Sequence, residues 1–147
     1  MTRIPVRAAL AASLLALGAC RSAASSSEVV AVVPSTLRGA PISMATRAGG
    51  LIFLAGRTAT DSIGKGIRAE THEVLLSMQR DLAASGSDMT RVAKCTVYLL
   101  DIAEWGAMNE VYATYFPTVK PARTAVQIVA TPRAGARVEI ECIAAAR

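Results

Sequence analysis

Apolar and polar positions alternate along the chain in two rhythms, and the change from one to the other marks the elements. From Ile67 to Ser85, Val74, Leu75, Met78 and Leu82 recur with helical spacing while Glu70, Glu73, Arg80 and Asp81 take the other side. This predicts an amphipathic helix that Gly86 stops. Upstream, Val29 to Val33 is a β-branched run closed by Pro34. Ser43 to Arg47 and Leu51 to Leu54 flank Ala48-Gly49-Gly50, whose glycines supply the positive φ of a tight hairpin. Thr58 to Gly66 has no apolar period and reads as a loop. Arg91 to Leu100 is short and rich in β-branched and aromatic residues, hence a strand. Asp101 and Glu104 have capping-box spacing before a second helix that presents Trp105, Met108, Tyr112 and Tyr115 on one face and ends at Pro117. The aromatic stripe reads as packing. Thr124 to Ala130 and Arg137 to Ala144 are the last strands, joined by a turn with Pro132 and Gly135. The predicted order is βββαβαββ, an α+β fold with two helices packed on one face of a mixed sheet.

The start of the chain obeys different rules. Arg3 and Arg7 precede an uncharged apolar run from Ala8 to Gly18, and Leu17-Gly18-Ala19-Cys20 closes it. The run is shorter than the roughly 20 residues a spanning helix needs, so residues 1–19 read as a cleaved secretion signal. Its last four residues resemble the bacterial lipobox, which implies lipidation of Cys20 and a membrane anchor. Residues 20–30 then serve as a small, polar tether and 31–147 as the folded domain. The expected location is the periplasm. Arg21 after Cys20 resembles the outer-membrane sorting pattern.

The whole chain has 147 residues, 52% hydrophobic, and a formal charge of +5 that falls to +3 once Arg3 and Arg7 are removed. With no basic run and no aromatic stacking series, nucleic acid is not an expected partner. No phosphate loop, nucleophile elbow, dinucleotide fingerprint or metal-ligand spacing occurs, so neither metal nor cofactor is expected. His72, the single histidine, reads as a hydrogen-bonded bystander. Cys95 and Cys142 lie in predicted apolar strands, either as buried thiols or as a disulfide.

The informative segment is Pro121-Ala122-Arg123-Thr124-Ala125-Val126, with Arg137-Val138-Glu139-Ile140-Glu141 beyond the turn. Pairing the two strands with Gln127 opposite Arg137 puts Arg123 opposite Glu141. An Arg among small residues offers a two-point grip on a carboxylate, and a nearby acid can orient water. A plain cross-strand ion pair fits the same residues.

At these positions the chain resembles the RidA family (YjgF/YER057c/UK114) of reactive imine and enamine deaminases. The resemblance runs from about Arg38 to Ala144 through AGGLIFLAG, VAKCTVYLLDIAEW, MNEVYATYF, PARTAV and VEIECIA. It implies a chorismate-mutase-like fold, a homotrimer with sites in the clefts between subunits, and cofactor-free hydrolysis of a 2-imino acid to a 2-keto acid and ammonia. By position, Arg123 matches the carboxylate-binding Arg, Glu141 the water-positioning acid, Asn109 an Asn near the site and Gly56 a glycine bordering the pocket. Ile42 and Met44 stand where the family has Tyr and Gln, Ala55 where Ser is frequent, Ala125 where Cys is frequent, and Arg57 replaces a Gln as a second cation. A non-catalytic module that binds small carboxylate-bearing metabolites, favoured by Ile42 and Ala55, is the rival; an envelope scaffold is a third.

Overall fold

The computed structural model describes residues 28–35 and 39–147. The segments expected to be a secretion signal and a tether up to residue 27, Cys20 included, lie outside the described residues. The elements run β1 (Val30–Pro34), β2 (Ser43–Ala48), β3 (Leu51–Thr58), α1 (Ile67–Ala84), β4 (Val92–Leu99), α2 (Trp105–Tyr115), β5 (Ala122–Gln127) and β6 (Val138–Ala145). This is the order read from the sequence, with β1 beginning at the last residue assigned to the tether. The strands form one mixed sheet in the order β1-β2-β3-β6-β4-β5, in which only β4 and β5 pair in parallel. Both helices cover one face. Ile52, Leu54, Val97, Leu99 and Ile140 from the sheet meet Val74, Leu75, Met78, Leu82 and Met108 from the helices there, all buried.

Local chemistry explains most element ends. Gly49 and Gly50 have φ of 55° and 78° and turn β2 into β3, while Gly86, at φ 74°, lets the chain leave α1. Asp101 does cap, but it accepts from Ala103 N–H at 2.9 Å in a single turn of 3-10 helix, Ile102–Glu104, ahead of α2. Glu104 does not complete a capping box. Its carboxylate pairs instead with Arg137 at 2.6 Å. β3 continues to Thr58, four residues past the predicted end, because a bulge between Leu54 and Arg57 breaks the alternation that would have signalled it.

The pairing of the last two strands corrects the sequence reading. β5 and β6 are not neighbours: β4 lies between them, with Cys95 opposite both Arg123 and Cys142, and Thr96 opposite both Thr124 and Glu141. A chain leaving β4 through α2 returns beside β4, as a parallel crossover does, rather than forming a hairpin with β6. Directly opposed residues share a face, so Arg123 is on the helix-covered face and Glu141 on the open one. The cross-strand ion pair is therefore excluded. Cys95 and Cys142, facing each other with Cα atoms 4.1 Å apart, form a disulfide.

The β3–α1 loop is held by one carboxylate. Glu73 accepts from the backbone N–H groups of Thr60 and Ser62 at 2.8 Å and from both of their hydroxyls. Burial alone pushes this carboxyl up, but the hydrogen bonds from Ser62, Thr60 and Asp61 outweigh it and hold the pKa at about 2. A depressed folded-state pKa adds stability that is present above the ordinary carboxylate range and lost as pH falls toward 2. Glu73→Gln is expected to cost about 1–2 kcal/mol at neutral pH, and less as the solution is acidified; urea titrations at pH 7 and pH 3 measure both. An equal loss at both values would contradict the assignment.

Candidate functional site

The residues singled out from the sequence fall into two separate clusters, with Glu141 outside both. The first cluster lies on the covered face at the β5 edge. Asn109, Tyr112, Ala113 and Phe116 from α2, with Lys120, Pro121 and Arg123, line a cleft of ≈ 290 Å³. The Arg123 guanidinium sits 4.5 Å from the Tyr112 ring centroid and 5.8 Å from that of Trp105, with Nη1 3.9 Å from the Met108 sulfur. Among the described residues no carboxylate pairs with it. Arg123 is therefore a half-buried cation whose N–H groups are not spent on an acid. Reading the aromatic stripe as packing holds for buried Tyr112 but not for Trp105, which is 46% exposed beside this cation.

The second cluster lies at the far end of β2, β3 and β6. Ile42, Met44, Ala55, Gly56, Arg57, Thr58, Thr60, Arg133 and Glu139 line a broader cleft of ≈ 810 Å³. Glu139 is the residue here that the sequence reading passed over. A Cβ on Gly56 would come within 2.0 Å of its Oε1, so the glycine lets this carboxylate lie against β3. Burial, and then the neighbouring charge of Glu141, push the Glu139 carboxyl above its ordinary range. The signal was present: Glu139 and Glu141 share a face in VEIE, and only the sheet order shows which stands beside Gly56. Glu141 instead accepts a hydrogen bond from the Tyr98 hydroxyl at 3.2 Å and borders a shallow pocket with Lys94 and Thr96.

Arg57 is not a free second cation. Its Nε donates to Asp81 on α1 at 2.9 Å, and a second contact closes the ion pair. His72 lies 2.9 Å from the Tyr115 hydroxyl, remote in role from both clefts. Among the described residues no group of three or more His, Cys, Asp or Glu side chains is placed to hold a metal ion, and no helix is long and apolar enough to cross a membrane.

Comparison with known proteins gives a consistent picture. The family model described as Endoribonuclease L-PSP matches residues 36–146. The chain is 38% identical over 122 residues to Reactive Intermediate Deaminase A, chloroplastic, of Arabidopsis thaliana, covering 80% of this chain and 65% of that relative. It is 40% identical over 109 residues to the 2-iminobutanoate/2-iminopropanoate deaminase of Mus musculus, covering 71% and 80%. Among solved structures, a YjgF family member from Neisseria meningitidis superposes with a TM-score of 0.73 at 32% identity, covering 82% of this chain and 97% of that one. These matches over most of its length place the chain in the Endoribonuclease L-PSP family, the RidA (YjgF/YER057c/UK114) family.

Proposed function

We propose that the protein hydrolyses small 2-imino or enamino acids to 2-keto acids and ammonia, in a cleft assembled between copies of the chain in a homotrimer. The observation that carries this reading is the division of the site. Arg123 and Asn109 lie on the covered face at one sheet edge, whereas Glu139 on β6 lies two strands from β5, Ala55 and Gly56 on β3 three, and Ile42, just before β2, further still. One chain cannot bring them around one small molecule, whereas the edge of one copy against the β2–β3 side of the next can. Leu51, Phe53 and Val126 expose apolar surface on the open face, which supports packing between copies.

The chemistry then needs few groups. Arg123 of one copy grips the substrate carboxylate, and the neighbouring copy supplies a carboxylate to orient water. Water adds to the carbon of the C=N bond while one of its protons passes through the carboxylate to nitrogen, giving a carbinolamine; the carboxylate then takes the hydroxyl proton and returns it to nitrogen as the C=O bond forms and the C–N bond breaks, releasing ammonia and the 2-keto acid. The sequence reading assigned the water-positioning role to Glu141; contact with Gly56 and partial burial give Glu139 the stronger claim. The family's descriptive name points to RNA cleavage, but the relatives named as imine deaminases and the small clefts favour this reading.

A pH profile separates the two acids. Glu139 acts as its anion, so the acid limb of kcat/KM lies above the ordinary carboxylate range. Glu141→Gln removes the like charge and shifts that limb to lower pH, while Glu139→Gln lowers the rate about 10²-fold or more. Loss of activity in Glu141→Gln with Glu139→Gln intact would return the role to Glu141. The rival reading, a carboxylate-binding module, draws on Ile42, which is 54% exposed and brings no hydroxyl to the cleft. Calorimetric binding of 2-oxobutanoate without ammonia release from freshly generated 2-iminobutanoate selects it.

The proposal includes a lipid anchor at Cys20 and a periplasmic, outer-membrane location. The Cys95–Cys142 bridge supports an oxidising compartment.

A further inference from the structure

We infer that Tyr112 and Trp105 form an aromatic platform that positions Arg123 for its ligand, acting through their rings and not through the Tyr112 hydroxyl. This rests on Arg123 being the carboxylate clamp.

A long guanidinium side chain can be held in place in two ways. An acid partner fixes it by occupying its N–H edge, which is the edge a substrate carboxylate would need. An aromatic ring fixes it by the face and leaves the edge unspent. Arg123 is held in the second way: its guanidinium carbon is 4.5 Å from the Tyr112 centroid and 5.8 Å from the Trp105 centroid. No acid among the described residues pairs with it. The contrast with Arg57 is direct, since Asp81 has taken that guanidinium's edge.

The platform is itself anchored. Tyr112 is 7% exposed, and its ring is tilted against Phe116 with centroids 4.7 Å apart. Its hydroxyl is buried and has no hydrogen-bond partner among the described residues. Burial pushes the phenol up to about 12 against the opposing pull of Arg123, so the group stays neutral and adds no negative charge to compete for the cation. Trp105 is the single tryptophan of the chain and stays half exposed, flanking the same guanidinium.

The test is steady-state hydrolysis of 2-iminobutanoate together with calorimetric binding of 2-oxobutanoate, on variants checked by thermal melting and sedimentation. Folded Tyr112→Leu is expected to raise KM and Kd about ten-fold, and Trp105→Leu about three-fold, with kcat changed less than KM; Tyr112→Phe restores both constants to near wild type. If Tyr112→Leu does not fold, the Trp105→Leu and Tyr112→Phe pair decides. Unchanged KM in Trp105→Leu and in any folded Tyr112→Leu overturns the platform, as does a Tyr112→Phe variant that binds as weakly as a leucine one. These results are read against Arg123→Ala: if that variant binds 2-oxobutanoate like wild type, the clamp has failed, whereas its loss of binding beside unaffected ring variants removes the platform alone.

Discussion

Arg123→Ala is expected to lower kcat/KM for 2-iminobutanoate by about 10²-fold or more, with the fold and assembly intact. The magnitude reflects the loss of a two-point, charge-assisted contact to a carboxylate, worth roughly 2–3 kcal/mol in a partly desolvated cleft. The structural cost is small because Arg123 has no acid partner among the described residues, so its removal strands no buried charge. Lys offers charge without the planar fork, and Arg123→Lys should recover only part of the loss. Ammonia release coupled to a reporting dehydrogenase gives the rate, and sedimentation gives the assembly. Wild-type turnover no faster than that of Arg123→Ala would remove the proposed chemistry.

The second large effect concerns the disulfide. Cys95 and Cys142 are 47 residues apart, and a closed loop of that size removes on the order of 4 kcal/mol of chain entropy from the unfolded state. Reduction is therefore expected to lower Tm by roughly 15 °C, and Cys95→Ala/Cys142→Ala to melt at the reduced protein's temperature with no response to reductant. The bridge ties β4 to β6 in the same row that places Arg123 on β5, so its loss is also expected to loosen the strand bearing Arg123. Scanning calorimetry with and without dithiothreitol measures the shift. An unchanged melting temperature would show that the bridge contributes nothing to stability.

Much of this architecture is legible in the sequence, for reasons that differ by element. α1 is bounded by an apolar stripe and by Gly86, both local signals, and the hairpin at Gly49-Gly50 depends on backbone freedom that only those residues supply. Residue type and small neighbours point to Arg123, whereas Asn109 and Gly56 come only from the resemblance to the RidA family. Strand neighbours were not legible, because alternation tells which side chains share a face but not which strand lies beside which. Placing β5 next to β6 produced a false partnership between Arg123 and Glu141, and it hid the fact that Glu139 is the acid beside Gly56. The commitment of Arg57 to Asp81 was equally invisible: the two are 24 residues apart and meet only when α1 packs on β3.

The strand carrying Arg123 is also one of the two edge strands of the sheet. Among the described residues β5 pairs with β4 on one flank only, so its other flank presents backbone donors and acceptors on which a foreign strand can grow. Its brevity, six residues, limits that hazard, and so do Pro121, which has no amide hydrogen, and the charged Lys120 just before it. Arg123 thus sits on a rim guarded against backbone strand addition, which leaves side-chain packing against another copy, and capture of a small anion in the gap between them, as the uses open to the border of the sheet.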